Sequence, residues 1–226
     1  MAGRVSPLFF RVAFYLLGLF FIACGSLSAV YATLGVTPVS ALPYAVSLST
    51  GLAFGTSMTV LFTLYVLLQL AWLGRDFKRI NLLQVVFSII FGFLVNVIKD
   101  GIGPLVVETM PGRVAVLCVG IFFTAFGLLF YLSANLVPLP PEGLVLVLAA
   151  KYGRAFSKMK IAFDILSVAA GCAVTLAALG YIGGIGVGTA VAAIATGKVL
   201  GLLSKPIRPK LERICFPVEH PVTSDQ

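Results

Sequence analysis

The stretch RVAFYLLGLFFIACGSLSAVYATLGVTPVSALPYAVSLSTGLAF, residues 11–54, decides the fold, because it has a counterpart in RVAVLCVGIFFTAFGLLFYLSANLVPLPPEGLVLVLAAKYGRAF, residues 113–156. Laying Arg11 on Arg113 gives an offset of 102 residues and needs no gap. Gly18 then falls on Gly120, Phe20-Phe21 on Phe122-Phe123, Ala23 on Ala125 and Gly25 on Gly127. The register holds through Ala32/Ala134, Pro38/Pro140, Leu42/Leu144, Gly51/Gly153 and Phe54/Phe156. Matching Leu or Phe between apolar helices carries little weight. Matching Arg, Pro and Gly in one register reads as an internal duplication.

Each half follows one plan: a long helix, a short element, then two more long helices. Apolar runs near the spanning length of roughly 20 residues read as helices at 11–34, 56–73, 80–98, 113–134, 158–180 and 184–203. The short elements start at Thr37-Pro38 and at Pro140-Pro141, where proline suits a first helical turn, and they end at Gly51 and Gly153. About 13 helical residues reach only about 20 Å, short of a hydrocarbon core of roughly 30 Å. The short elements therefore read as half-helices that enter the membrane and turn back.

Composition agrees. Of 226 residues, 60% are hydrophobic and 11% charged, with a mean hydropathy of +1.09, against about 25% charged residues in soluble domains. The fold class is an all-α polytopic membrane protein: two repeats, six transmembrane helices and two short re-entrant half-helices. It is one membrane domain over residues 1–226, with repeat one at about 11–100, repeat two at about 113–203 and a basic tail at 204–226. With three full spans per repeat, an odd number, the second half is inverted relative to the first. A rival arrangement of eight full spans in parallel repeats stays open, because charge placement barely separates the two.

The net charge of +8 does not mark a nucleic-acid binder. Basic residues gather between spans at Arg75/Lys78/Arg79, Lys151/Arg154/Lys158/Lys160 and Lys205/Arg208/Lys210/Arg213. This is the positive-inside pattern, and it puts both termini in the cytoplasm and is compatible with contact to anionic lipid. Arg4, Arg11 and the apolar run to Cys24 loosely imitate a lipoprotein signal, but the internal counterpart of this helix marks it as a retained span. Cys24, Cys118 and Cys172 sit in apolar runs, Cys215 lies in the tail, and the single histidine is His220. No metal spacing results. No cofactor, no metal and no enzyme activity are expected, because no histidine lies in a span and no serine has a plausible base beside it.

Inverted repeats with broken helices place a binding site where the repeats meet near the midplane. The half-helix N-termini carry partial positive charge suited to a polar or anionic ligand, which points to Thr37, Pro38, Ser40, Pro140 and Glu142. Ser40 and Glu142 are register-equivalent, and Glu142 either serves the ligand or complements its own helix dipole. Ionisable groups inside spans are costly and suggestive. Asp164 lies four residues after Lys160, so the pair either anchors a helix end or makes Asp164 a proton or cation site. Asn96 shares a face with Asp100 at a helix end, with Gln84 and Thr189 as weaker polar candidates. The run Gly180 to Thr189 imitates a dinucleotide fingerprint but lacks any βαβ context; its glycines suit a tight turn and close helix packing.

Gly35-Val36-Thr37-Pro38-Val39-Ser40-Ala41-Leu42, Lys160 to Asp164 and Gly180 to Thr189 together give a chain that resembles the YczE/YitT-type family of bacterial membrane proteins over roughly residues 10–205. The resemblance implies the bacterial inner membrane and a transporter of undefined substrate. It departs where an acid commonly follows the proline: Val39-Ser40 stands there, and Glu142 supplies an acid in the other half.

The leading reading is a secondary transporter or exporter of a small polar or anionic solute, with Glu142 and Asp164 as proton-coupling groups and Thr37, Pro38, Ser40, Asn96, Pro140, Glu142, Asp164 and Thr189 as substrate-binding residues. Alternatives are a substrate-binding subunit of an ATPase-driven system and a non-transport accessory protein. Expected partners are membrane lipid and a small-molecule solute, with a homodimer compatible and nucleic acid not expected.

Overall fold

The computed structural model describes residues 7–216. His220 and Arg4 lie outside them. Eight α-helices follow in order: α1 Pro7–Ala32, α2 Pro38–Thr50, α3 Phe54–Leu73, α4 Leu83–Ile102, α5 Met110–Ala134, α6 Pro140–Lys151, α7 Phe156–Leu179 and α8 Val187–Cys215. Two short 3₁₀ turns, Gly74–Asp76 and Arg79–Leu82, join α3 to α4. No strand occurs among the described residues. Six helices are long and apolar enough to cross a membrane. α2 and α6, of 13 and 12 residues, are not. Large apolar side chains such as Phe93, Leu166 and Leu202 cover the outside, as a chain dissolved in lipid requires. The protein is an all-α polytopic membrane protein.

Helix boundaries recur at the offset of 102 residues. α1 ends at Ala32 and α5 at Ala134; α2 starts at Pro38 and α6 at Pro140; α3 starts at Phe54 and α7 at Phe156. The terminations repeat as well. Thr33 (φ 55°) and Asn135 (φ 45°) are the two non-glycine residues with positive φ among those described. Each donates its N–H three residues back, to Val30 and Leu132 respectively. A left-handed residue there reverses the chain so that an extended segment leads to the next half-helix.

α1 and α5 pack face to face and antiparallel. Gly18 lies on Gly127 and Tyr131, and Gly25 on Gly120 and Thr124; a Cβ added at Gly18 would come within 2.8 Å of the Gly127 carbonyl oxygen. Absence of side chains lets the two backbones touch, which in lipid replaces the hydrophobic effect as the cohesive force. Rings flank the seam, Phe21 on Phe123 at 5.8 Å and Phe14 on Phe130 at 5.5 Å between centroids. At its end, Arg11 donates to the Ala134 carbonyl at 2.9 Å and to Asn135 O, a cation on a helix C-terminus.

The halves also interlock. α2 packs on α7 and α6 packs on α3, so each short helix rests on the third helix of the other half. Ala41 of α2 sits against Gly171 of α7, and Gly143 of α6 fits beneath Gln69 and Gln84. One difference between the halves stands out. α3 and α4 close against each other where Gly55 meets Gly92, and Asn96 Oδ1 accepts from the Gly55 N–H at 2.8 Å. The register-equivalent positions on α7 and α8 are Ser157 and Ile194. These two helices hardly touch, and α8 lies on α5 instead.

Two expectations shift. α4 runs to Ile102, so Asn96 is inside the helix and not at its end. α8 continues through Pro206 and Pro209 to Cys215, so the basic tail expected from 204 is helical for its first part. Burial of Leu211 and Cys215 and the Arg208–Glu212 pair at 2.7 Å hold it against the usual breaking effect of proline.

Gly55→Val should overlap the Gly92 backbone and lower stability by about 3 kcal/mol or more, whereas Ser157→Val at the equivalent position should leave it within about 0.5 kcal/mol. Thermal unfolding of the detergent-solubilised variants checks this, and equal losses at both positions would contradict the asymmetry.

Candidate functional site

The sequence places helix breaks at 33–37 and 135–139, and in a membrane bundle backbone N–H and C=O groups released from a helix need partners within the protein. In the first half, the backbone of the α7–α8 connection provides them. Val36 N–H donates to Gly184 O at 3.0 Å, and Gly188 N–H donates to Leu34 O at 2.8 Å. Gly35, at φ 131°, lies so close to Thr189 and Gly186 that a Cβ would collide with both. The glycine-rich run between α7 and α8 is therefore a bed for the first break. In the second half, side chains provide the partners. Tyr15 donates its hydroxyl to Val137 O at 3.0 Å. The Leu139 N–H donates to the Tyr131 hydroxyl oxygen at 2.6 Å, and Gln69 Nε2 donates to Pro140 O at 3.2 Å.

Held in this way, both half-helices aim their N-termini into one cavity of about 540 Å³, lined by Thr37, Pro38, Val39 and Ser40 from α2 and by Pro141 and Glu142 from α6. That volume lies in the range of small-molecule sites. No side-chain cap closes either half-helix, at Thr37 or at Leu139. The Thr37 hydroxyl donates to Ser40 Oγ at 2.9 Å. α7 contributes Lys160 and Asp164, joined as an ion pair with about a quarter of each side chain exposed.

The two sides of the cavity differ in chemistry. Register-equivalent to Lys160 and Asp164 are Met58 and Phe62, which also line it; Ile22 faces Thr124 in the same sense, and Ser40 faces Glu142. Charge thus comes from the second half alone, against an apolar wall of Ile22, Met58, Phe62 and Phe91. Phe62 and Phe91 stack in parallel at 6.0 Å, which fixes that wall. Three polar atoms of the lining are buried and have no partner: Glu142 Oε2, Thr124 Oγ1 and Thr196 Oγ1. Buried unpaired acceptors are costly, and a ligand or a proton meets that need.

Of the sequence candidates, Thr37, Pro38, Ser40, Glu142 and Asp164 line the cavity together. Asn96, Pro140 and Thr189 do not. Asn96 ties α4 to α3 through Gly55 and Thr56. Pro140 presents its carbonyl to Gln69, and Thr189 accepts from the Gly186 N–H at 3.4 Å in the loop bed. Sequence reasoning missed Thr124, Thr196 and Ser26 of the lining. Thr124 carried a usable signal, since it replaces an isoleucine of the other half. Among the described residues no group of three or more His, Cys, Asp or Glu is assembled.

Gln69 and Gln84 form a reciprocal amide pair at 3.0 and 3.2 Å, buried outside the cavity. Gln69→Ala should strand the Gln84 amide and the Pro140 carbonyl, costing about 1–3 kcal/mol. The double change Gln69→Leu/Gln84→Leu should cost less than the single one, read by thermal unfolding, because no amide is then left unpaired.

Comparison with curated proteins and with solved structures returns no match. The profile of a family of unknown function, DUF6198, matches residues 9–205, from the start of α1 deep into α8. The shared unit is thus the interlocked bundle of both halves, and the chain belongs to the DUF6198 family of unknown function.

Proposed function

We propose that the protein is a secondary transporter of a small polar solute, bound in the cavity between the half-helices and coupled to protons through Glu142 and Asp164. The observation that carries this reading is the convergence of two broken-helix N-termini on one cavity holding a buried, unpartnered carboxyl oxygen. Broken helices at a repeat interface are the plan by which secondary transporters bind near the midplane. A structural accessory role would favour a dry, filled interface, and about 540 Å³ of space argues against it.

The proposal includes inverted halves. Support comes from α1 and α5, which occupy equivalent places in the register and pack antiparallel through Gly18–Gly127 and Gly25–Gly120. A two-fold relation between antiparallel equivalents has its axis in the membrane plane. Alternating exposure then follows from rocking one half against the other. The same proposal places the chain in a bacterial inner membrane with cytoplasmic termini, and includes kinship with the YczE/YitT-type proteins. Of the polar and anionic classes expected from the sequence, the site favours solutes with hydrogen-bond donors, because Glu142 already occupies the α6 N-terminus.

Proteoliposomes loaded with a pH indicator and challenged with pools of amines, polyols and amino acids should show solute-driven proton movement. Glu142→Gln and Asp164→Asn should each reduce it at least about tenfold and flatten its pH dependence. Unchanged rates and pH dependence in both variants would remove the assignment. Separately, Leu52→Cys and Arg154→Cys, one register apart, should react with impermeant maleimide from opposite sides in a cysteine-free background. Same-side labelling would exclude inverted halves.

A further inference from the structure

The cavity opens on one side only. Among its lining residues, those exposed are Phe156, Ser157 and Ile161 of α7 and Ala193 and Gly197 of α8. Every lining residue from α1 to α6 is buried or half-buried. The opening is therefore the gap between α7 and α8, the two helices that lack the glycine contact by which α3 and α4 close. Ile161 of this opening, and Ile165 and Leu166 elsewhere on α7 and Ile194 on α8, are all more than half exposed, so the outer surface of the two helices is apolar. Both helices are long and apolar enough to cross a membrane, and a gap between two such helices opens toward hydrocarbon.

The geometry points to an amphipathic amine as the ligand, entering from the bilayer between α7 and α8. This rests on reading the cavity as the solute site. Inside the mouth, Lys160 is already bound to Asp164, so that pair offers no net charge. Glu142 forms no ion pair of its own, since the nearby cation Lys160 is engaged by Asp164, and Glu142 Oε2 is buried without a hydrogen bond. A carboxyl in a low-dielectric site is stabilised by a cationic donor or by a proton, and an ammonium head supplies the former. The opposite wall of Met58, Phe62 and Phe91 receives an apolar body. Competition between the ammonium head and a proton for one carboxyl would couple release of one to binding of the other.

The test uses the full chain in lipid nanodiscs with two probes, n-octylammonium and methylammonium, binding being corrected for partition into empty nanodiscs. Octylammonium should bind about 100-fold more tightly, the order expected from burying several methylenes. Glu142→Gln should weaken both probes at least about tenfold. Mouth variants Ser157→Trp and Gly197→Trp should slow octylammonium association about tenfold and methylammonium association by less, because the smaller probe passes a narrowed gap more easily. Both positions are exposed, and a Cβ at Gly197 meets nothing within 4 Å, so an unchanged thermal unfolding midpoint reports an intact fold. Equal affinity for the two probes, with mouth variants silent, would overturn lateral loading and leave the cavity as a site for water-borne solutes. Unaltered binding in Glu142→Gln would overturn the site reading itself. Failure of either probe to bind the wild type would overturn the amine assignment.

Discussion

Backbone left unwound within a membrane bundle must find hydrogen-bond partners inside the protein, and the arrangement of this molecule depends on that requirement. Each half breaks its chain after a long helix and restarts it at a proline. The first break takes its partners from main chain, with Val36 and Leu34 bonded to the glycine-rich 184–188 segment. The second takes them from Tyr15, Tyr131, Gln69 and Arg11. Both solutions draw on the opposite half of the chain, Tyr131 excepted. The breaks therefore cannot be satisfied unless the halves are interlocked, and the cavity between the half-helices is a product of that interlocking.

Small residues then set where the bundle is tight and where it is open. Glycines bring α1 onto α5 and α3 onto α4 with backbones in contact. At the matching place in the second half, Ser157 and Ile194 hold no such contact, and α8 moves to α5. The result is a cavity with a closed apolar side and an open polar one. The same register places Met58 and Phe62 opposite Lys160 and Asp164, so register-equivalent positions carry unlike chemistry on the two sides of the cavity.

Much of the fold was legible in the sequence. Proline and glycine punctuation located both half-helices to within a residue or two, because those residues restrict the backbone whatever surrounds them. Apolar runs located the spans for a similar reason. Helix ends were less legible: α8 passes through Pro206 and Pro209 because its far turn packs Leu211 and Cys215, a tertiary gain that local propensity does not show. The candidate site was legible where an ionisable or helix-initial residue marked it, as at Thr37, Glu142 and Asp164. Polar residues without charge misled. Asn96 and Thr189 look alike in sequence to Thr124 and Thr196, yet the former cap and bridge backbone while the latter face the cavity.

By itself, then, the sequence determined a membrane bundle of six long and two short helices and the register between its parts, since hydropathy, helix length and backbone restriction are local properties. Only the tertiary structure decided which half partners each break, which polar groups meet in one cavity, and that α7 and α8 stand apart. Those outcomes depend on which side chains are missing between helices distant in sequence, and on hydrogen bonds spanning more than a hundred residues, as from Arg11 to Ala134. No local signal encodes such distances.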